Sequence, residues 1–275
     1  MQGYDVYRKA MTEDQWRGWW VTWPLSNRVR LGDVYDRQGD AIRRAGDLNG
    51  RGISFIPERG TSPGTFVYDS NQSVDVRLKA SGSAPEALSV LAKADAGASV
   101  KFQKERTAFV VFREISQWGI ADVRSLSNAL VSLWWNNGWD DSLLAVTSVV
   151  SAVGGTVLSA AETGAVAELK VSAAAGVAGG PGMADLALGA SIVRRSALGA
   201  AWTGPDVTPF YQVVRLRQDW LGRVVAQYGP RPPGRGAQPS ALPPLLSEEI
   251  GDDPDAVLGL AKQADQLPFA SPGDG

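Results

Sequence analysis

Apolar and polar side chains alternate along several stretches of the chain, and this alternation is the clearest local pattern in the sequence. In residues 73–80 every second side chain is apolar and the ones between them are charged. Alternation resumes at 98–103 and leads into a continuous apolar run at 108–112, as in a buried strand. The same pattern occurs at 144–152, 165–173 and 208–216. A period of two predicts β-strands in all of these stretches.

Four stretches have apolar residues at helical spacing or carry helix-start signals. They are residues 1–16, 120–135, 219–228, and a stretch that begins at Pro254, capped by Asp253, and runs to Leu267. Helices and alternating strands in this order predict an α+β fold. We expect a twisted, mostly antiparallel central sheet with flanking helices and a short C-terminal tail.

Two further stretches are less regular. Residues 60–72 are rich in turn formers and predict a loop. Residues 142–161 carry no charge and are long enough for a membrane helix of about 20 residues. However, Gly154 and Gly155 lie near the middle of that stretch and many of its side chains are β-branched. These features favour a pair of strands joined by a Gly-Gly turn.

The chain changes character at a proline- and glycine-rich linker, residues 229–244. It separates a body, residues 1–228, from a C-terminal segment, residues 245–275. After Arg235 seven acidic residues stand against one lysine, a net charge of −6, while the rest of the chain carries +4. We therefore expect the segment to dock onto the body and partly neutralise it. The residues expected to make the apolar contact are Leu245, Leu246, Ile250, Val257, Leu258 and Leu260.

Composition excludes several kinds of chemistry. The chain has no cysteine and no histidine, which excludes disulfides, thiol nucleophiles, Cys/His zinc sites and Ser-His relays. Phosphate-loop, dinucleotide and GxSxG motifs are absent. The acids Asp140, Asp141, Glu162 and Glu168 are interpreted as solvated turn or strand residues. We predict no enzyme activity, no cofactor and no metal, and the near-neutral charge argues against nucleic acid as a partner. The N-terminus lacks the apolar core of a signal peptide, so a cytoplasmic protein is expected.

Four tryptophans crowd together at residues 16–23. Tryptophan is buried on average, so we interpret the cluster as a core anchor under the sheet. Two other interpretations remain open, an aromatic belt at a membrane interface and a platform on which sugars stack.

The alternating strands allow two interpretations as well. An ordinary half-exposed sheet gives this pattern, and so do strands that refold into membrane-spanning hairpins of about 9–11 residues each. The order of elements over residues 29–217 resembles the pore-forming domain of the gasdermins in their short bacterial form. The features that carry the resemblance are Leu31-Gly32-Asp33-Val34, the first hairpin at 73–80 and 98–112, the strand at 143–158, and the terminal strand at 208–216.

This resemblance implies a function. It implies an autoinhibited monomer whose C-terminal segment is removed by a partner protease. The body would then form a homo-oligomer in the inner membrane and kill the cell as antiphage defence. A trypsin-like protease would cut after Arg235, since Arg231 is followed by proline.

The resemblance has one clear departure. Bacterial members commonly carry a lipid-modified cysteine near the N-terminus, which this chain lacks, so anionic lipid would have to be bound by tryptophan and basic residues. The candidates are Arg8, Lys9, Arg17, Arg28 and Arg30. Two alternative functions remain. The first is a non-enzymatic α+β module that binds protein or carbohydrate through the tryptophans, and the second is an acid-based hydrolase.

Overall fold

The structure is a computed structural model, and it describes residues 3–13, 16–60, 64–80, 96–171, 182–187, 190–231 and 240–269. Its α-helices are α1 Gly3–Thr12, α2 Val123–Trp135, α3 Gln218–Tyr228, α4 Pro244–Asp252 and α5 Pro254–Val257. Its strands are β1 Trp20–Val21, β2 Asp33–Gln38, β3 Ala41–Asp47, β4 Pro57–Arg59, β5 Gly64–Asp69, β6 Val74–Lys79, β7 Ala96–Phe102, β8 Ala108–Ile120, β9 Leu144–Ala160, β10 Val166–Val171, β11 Ala190–Ser196, β12 Leu198–Leu216 and β13 Leu258–Leu260.

In the described part of the chain the strands form two sheets. The first has nine strands and contains the order β1-β12-β9-β2-β3, with β13 beside β12, β8 beside β9, and β4 and β5 beside β8. The second has four strands in the order β11-β10-β7-β6, and its ladders are antiparallel. The antiparallel pairing and the few helices confirm the predicted α+β class.

The chain divides into two compact units. The first contains residues 1–28, 60–117 and 150–210. One of its cores is rich in aromatic rings, and there Val6, Tyr7 and Met11 of α1 pack with Trp16 and Phe210. Its other core lies around the four-stranded sheet and consists of valines, leucines, two phenylalanines and five alanines, namely Ala98, Ala160, Ala165, Ala167 and Ala187.

The second unit contains residues 29–59, 118–149 and 211–275. One face of its part of the sheet packs against α2 and α3. The buried residues of those helices include Leu126, Leu130, Trp134, Trp220 and Leu221. Residues of α4, α5 and β13 belong to the same core.

Periodicity predicted α2 and α3 well. The predicted helix at 120–135 begins at Val123, because the Asp122 carboxylate accepts a hydrogen bond from the Ser125 backbone N–H at 2.9 Å and caps the helix there. The strand predicted at 208–216 forms the last part of the longer β12.

The prediction of a Gly-Gly turn within 142–161 is wrong. This stretch is one 17-residue strand, β9, with both glycines inside it. A Cβ atom on Gly154 would lie 2.1 Å from the carbonyl oxygen of Ala187, and one on Gly155 would lie 2.6 Å from the Phe112 ring. The glycines therefore allow close approach of neighbouring groups within a strand and do not reverse the chain.

Two other predictions differ from the structure, and a third agrees with it over the described residues. Part of the loop predicted at 60–72 is β5, which pairs with β8, while residues 61–63 lie outside the described residues. In residues 73–80 Leu78 is exposed and Lys79 is buried, the reverse of the faces predicted from the alternation. The strand predicted at 165–173 corresponds to β10, Val166–Val171, and residues 172–173 lie outside the described residues.

Candidate functional site: the C-terminal segment and its groove

The helix α4 presents one face to the core of the second unit. Leu246 and Ile250 are four residues apart, so they lie on the same side of the helix. Both are fully buried. Leu245, the neighbour of Leu246, points away from the core and is 68% exposed. Two of the three residues predicted on this helix are therefore buried in the core, and their role in inhibition stays a prediction.

After α4 the chain makes one helical turn and then becomes a strand. The Asp253 side chain accepts a hydrogen bond from the Ala256 N–H at 3.0 Å, and Pro254 occupies the first turn, as predicted. The predicted continuation of this helix to Leu267 is wrong, since α5 ends at Val257 and β13 follows. Val257 and Leu258 are buried, whereas Leu260 is 59% exposed.

The strand β13 pairs with β12 in an antiparallel ladder, with Leu258 opposite Leu216 and Leu260 opposite Val214. Two backbone bonds extend the ladder at its ends. The Arg217 N–H donates to the Val257 carbonyl at 3.0 Å, and the Ala261 N–H donates to the Val213 carbonyl at 2.9 Å. This pairing with β12 satisfies the backbone from Val257 to Ala261, which explains why a helix does not continue there.

Beyond β13 the segment reaches β3. The Ile42 N–H donates to the Pro268 carbonyl at 2.8 Å, and Ile42 forms a bridge with Phe269. The Phe269 ring lies 5.6 Å from that of Tyr35 and 6.2 Å from that of Tyr211, measured between ring centroids. Burial raises the pKa of Tyr35, so this phenol stays protonated. The segment thus contacts β12, β2 and β3.

The two described ends of the linker are both held at the C-terminal end of α2. The Arg231 guanidinium lies over the Trp134 ring, 4.8 Å from its centroid, and donates to the Trp134 carbonyl at 3.3 Å. Asn136 accepts from the Ser240 N–H at 2.7 Å and donates to the Ser240 carbonyl at 3.2 Å. The predicted cleavage residue, Arg235, lies between these ends and outside the described residues.

Charge contributes less to this contact than the sequence suggests. Glu249 pairs with Arg223, and Asp265 lies 3.6 Å from Arg215. The four side chains of these two pairs are between 30 and 54% exposed. Exposed ion pairs of this kind are worth about 0–1 kcal/mol each.

Four of the predicted lipid-binding residues lie in the first unit. Arg8 is half-buried on α1, while Lys9, Arg17 and Arg28 are exposed. Lys9 pairs with Glu13 at 3.6 Å, and Arg28 lies 4.0 Å from Asp206. Arg30 is exposed in the second unit, and its backbone N–H donates to the buried Asp33 carboxylate. Their role in binding lipid stays a prediction.

The tryptophans at 16–23 are core residues. Trp16, Trp19 and Trp20 are buried. The Trp16 ring stacks on Phe210 with the centroids 4.3 Å apart and the planes at 17°. Trp23 is half-buried and packs on Tyr4. Buried indoles leave no flat exposed face for a sugar, which agrees with the interpretation as a core anchor.

The acids considered for hydrolysis serve local structure. Asp140 accepts from the backbone and the hydroxyl of Ser142, and these bonds lower the pKa of the carboxyl. Asp141 accepts from the Trp134 indole at 2.7 Å. The interpretation of Glu168 as solvated is wrong, because its side chain is buried and pairs with Arg194 at 3.2 Å. Among the described residues no cluster of three or more acidic side chains could hold a metal ion.

Comparison with known proteins gives one distant similarity. No family model matches the chain, and no curated protein matches it. The solved structure of a bacterial gasdermin from Bradyrhizobium tropiciagri is similar, with 11% sequence identity, a TM-score of 0.28, and coverage of 73% of this chain and 82% of that chain. A similarity at this TM-score supports no conclusion about activity. None of the described helices has the length and apolar character needed to cross a membrane.

Proposed function

We propose that the chain is a non-enzymatic pore-forming protein that its C-terminal segment holds inactive. A partner protease cuts the linker, and the segment leaves. The body then binds anionic lipid, forms a homo-oligomer in the membrane and kills the cell as a defence against phage. The protein is cytoplasmic before cleavage and acts at the inner membrane afterwards.

The observation that carries this proposal is the way the C-terminal segment is attached. It completes the core of the second unit with four buried aliphatic side chains, those of Leu246, Ile250, Val257 and Leu258. Full burial of such a side chain contributes about 1.5–3 kcal/mol, so the four together contribute roughly 6–12 kcal/mol as an upper estimate. The segment is thus held through apolar contacts, and the sequence that joins it to the body is the proline- and glycine-rich linker in which we expect a protease to cut.

The strands of the body also suit the proposal. The strands β8, β9 and β12 have 13, 17 and 19 residues, longer than the roughly 9–11 residues with which a strand crosses a bilayer. The core around the four-stranded sheet contains five alanines among its thirteen buried residues. Burial of an alanine contributes less free energy than burial of a larger apolar side chain, so we expect these positions to oppose a rearrangement into membrane hairpins less strongly.

The direct test is dye release from liposomes. A site-specific protease sequence replaces residues 232–239 of the full chain, which is folded and purified before it is cut. We expect the uncut protein to be silent, and the cut protein to release dye from liposomes that contain anionic lipid. Purified body that has lost the segment but releases no dye would overturn the proposal.

The lipid-binding residues are tested with the same cut protein. A basic residue near an anionic surface contributes about 1 kcal/mol, so each change of Arg8, Lys9, Arg17, Arg28 or Arg30 to glutamine should weaken liposome binding by about fivefold. Arg195→Gln is a matched control, because this arginine is exposed on β11 and is not among the predicted contacts. If Arg195→Gln weakens liposome binding as much as the other changes do, the five residues are not specific lipid contacts.

A further inference from the structure

We propose that copies of the cut chain join edge to edge, with the outer edge of β12 in one copy pairing with the outer edge of β3 in the next. The inference rests on the proposed function, because it requires release of the C-terminal segment. It adds the surface through which the oligomer is built, and it identifies the partner as a second copy of this chain.

The first edge is residues 213–216 of β12 together with Arg217, which directly follows the strand. Their outward backbone groups are bonded to the segment, from the Val213 carbonyl, which accepts from Ala261, to the Arg217 N–H, which donates to Val257. Backbone groups on one side of a strand recur every second residue, so those of Arg215 point the same way. When the segment leaves, this row of donors and acceptors loses its partner.

The second edge is β3, at the far end of the order β12-β9-β2-β3. Within the described ranges β3 has a ladder with β2 on one side. On its other side it has the contact of Ile42 with Pro268 and Phe269. The same C-terminal segment therefore covers part of the β12 edge and part of the β3 edge. A single release frees them together.

Unpaired edges with open N–H and C=O groups pair with other strands. Each cut copy has one free β12 edge and one free β3 edge, so these edges are present in equal number. Pairing between unlike edges is heterologous, which leaves a free edge at each end of the growing assembly and leads to rings or filaments. Pairing of two β12 edges would stop at a dimer. The β12–β3 combination lets the assembly grow with a single kind of contact.

Cross-linking tests the pairing, since the chain has no cysteine of its own. Arg215→Cys lies on the β12 edge strand and Arg43→Cys on β3, and both positions are accessible. The variants are made in the full chain with the cleavable linker and with Leu246→Ala, so that the segment dissociates once the linker is cut. A short flexible bismaleimide tolerates small differences in register. Arg59→Cys on the exposed strand β4, combined with Arg215→Cys, is the control for random collision.

After the linker is cut, we expect the Arg43→Cys/Arg215→Cys protein to form a ladder of cross-linked species that are larger than dimers. Its yield should be several-fold above that of the Arg59→Cys/Arg215→Cys control. Dimers from Arg215→Cys alone at the yield of the double variant would overturn the inference in favour of like-edge pairing. Dye release without links between positions 43 and 215 would overturn the inference and leave the proposed function standing. Loss of the segment without dye release would overturn both.

Discussion

Leu245 and Leu246 offer a matched test of how the C-terminal segment is held. The two leucines are adjacent on α4, and one is 68% exposed while the other is fully buried. Changing either to alanine removes the same atoms and leaves the same net charge. Alanine and leucine also have similar helix propensities, so the difference between the two variants reports the burial of the side chain.

The expected magnitude follows from that burial. Replacing a fully buried leucine by alanine costs about 2–5 kcal/mol. Surface changes away from special features stay within about 0.5 kcal/mol. At about 1.4 kcal/mol per factor of ten, Leu246→Ala should weaken retention of the cut segment by roughly 30- to 4,000-fold, and Leu245→Ala by at most about twofold.

The assay measures how long the segment stays bound. The linker is cut in the folded protein, the sample is diluted, and the amount of segment that remains with the body is followed with time. We expect rapid loss from Leu246→Ala and retention like that of the parent protein from Leu245→Ala. Equal retention by the two variants, or faster loss from Leu245→Ala, would refute the reasoning that the buried face of α4 holds the segment.

Three further predictions concern the body and the charges. Gly154→Ala places a methyl group against the Ala187 carbonyl and should lower the free energy of unfolding by about 1–3 kcal/mol, measured by thermal unfolding. Gly222→Ala, in open space on α3, should raise it by about 0.5–1 kcal/mol. Hydrogen bonds from Ser125 lower the pKa of Asp122, so the ionised carboxylate stabilises the folded protein. In urea unfolding, Asp122→Ala should therefore lower the free energy of unfolding by its full amount above pH about 4. This difference between the two proteins should vanish as the pH falls through the lowered pKa. Asp265→Asn should weaken retention of the segment by less than about fivefold, because its ion pair is half-exposed.

Each of these has a contradicting outcome. A Gly154→Ala protein as stable as the parent would mean that β9 does not pass close to residue 187. A stability difference at Asp122 that persists in strong acid would exclude the carboxylate cap as its source. Loss of the segment in high salt without any core substitution would mean that charge, and not apolar burial, holds it.

The sequence predicted elements whose signal is local. The helices α2 and α3 have apolar residues at helical spacing, and Asp253-Pro254 is a local start signal, so each could be found from its own residues. Glycine was ambiguous. Gly154 and Gly155 signal a turn as well as they signal close approach inside a strand. The neighbours that show close approach are Ala187 for Gly154 and Phe112 for Gly155, and both are distant in the sequence.

The candidate site was predictable in its apolar part. Leu246, Ile250, Val257 and Leu258 could be named from their pattern, but adjacent leucines such as Leu245 and Leu246 cannot both face the core. The contacts of the linker could not be found, because Asn136 and Ser240 are 104 residues apart and neither has an unusual local signal. The turn from α5 into β13 was missed because pairing with β12 overrides the local helix preference.

The most direct test of the central claim follows segment loss and membrane damage in one sample. A fluorophore on a single cysteine introduced at the exposed position Leu245 reports the segment, and a dye of another colour reports leakage from anionic liposomes. The account predicts no leakage before the linker is cut, and afterwards leakage that begins only as the segment leaves and that Leu246→Ala accelerates. Leakage from the uncut protein, or complete loss of the segment with the liposomes intact, would contradict it.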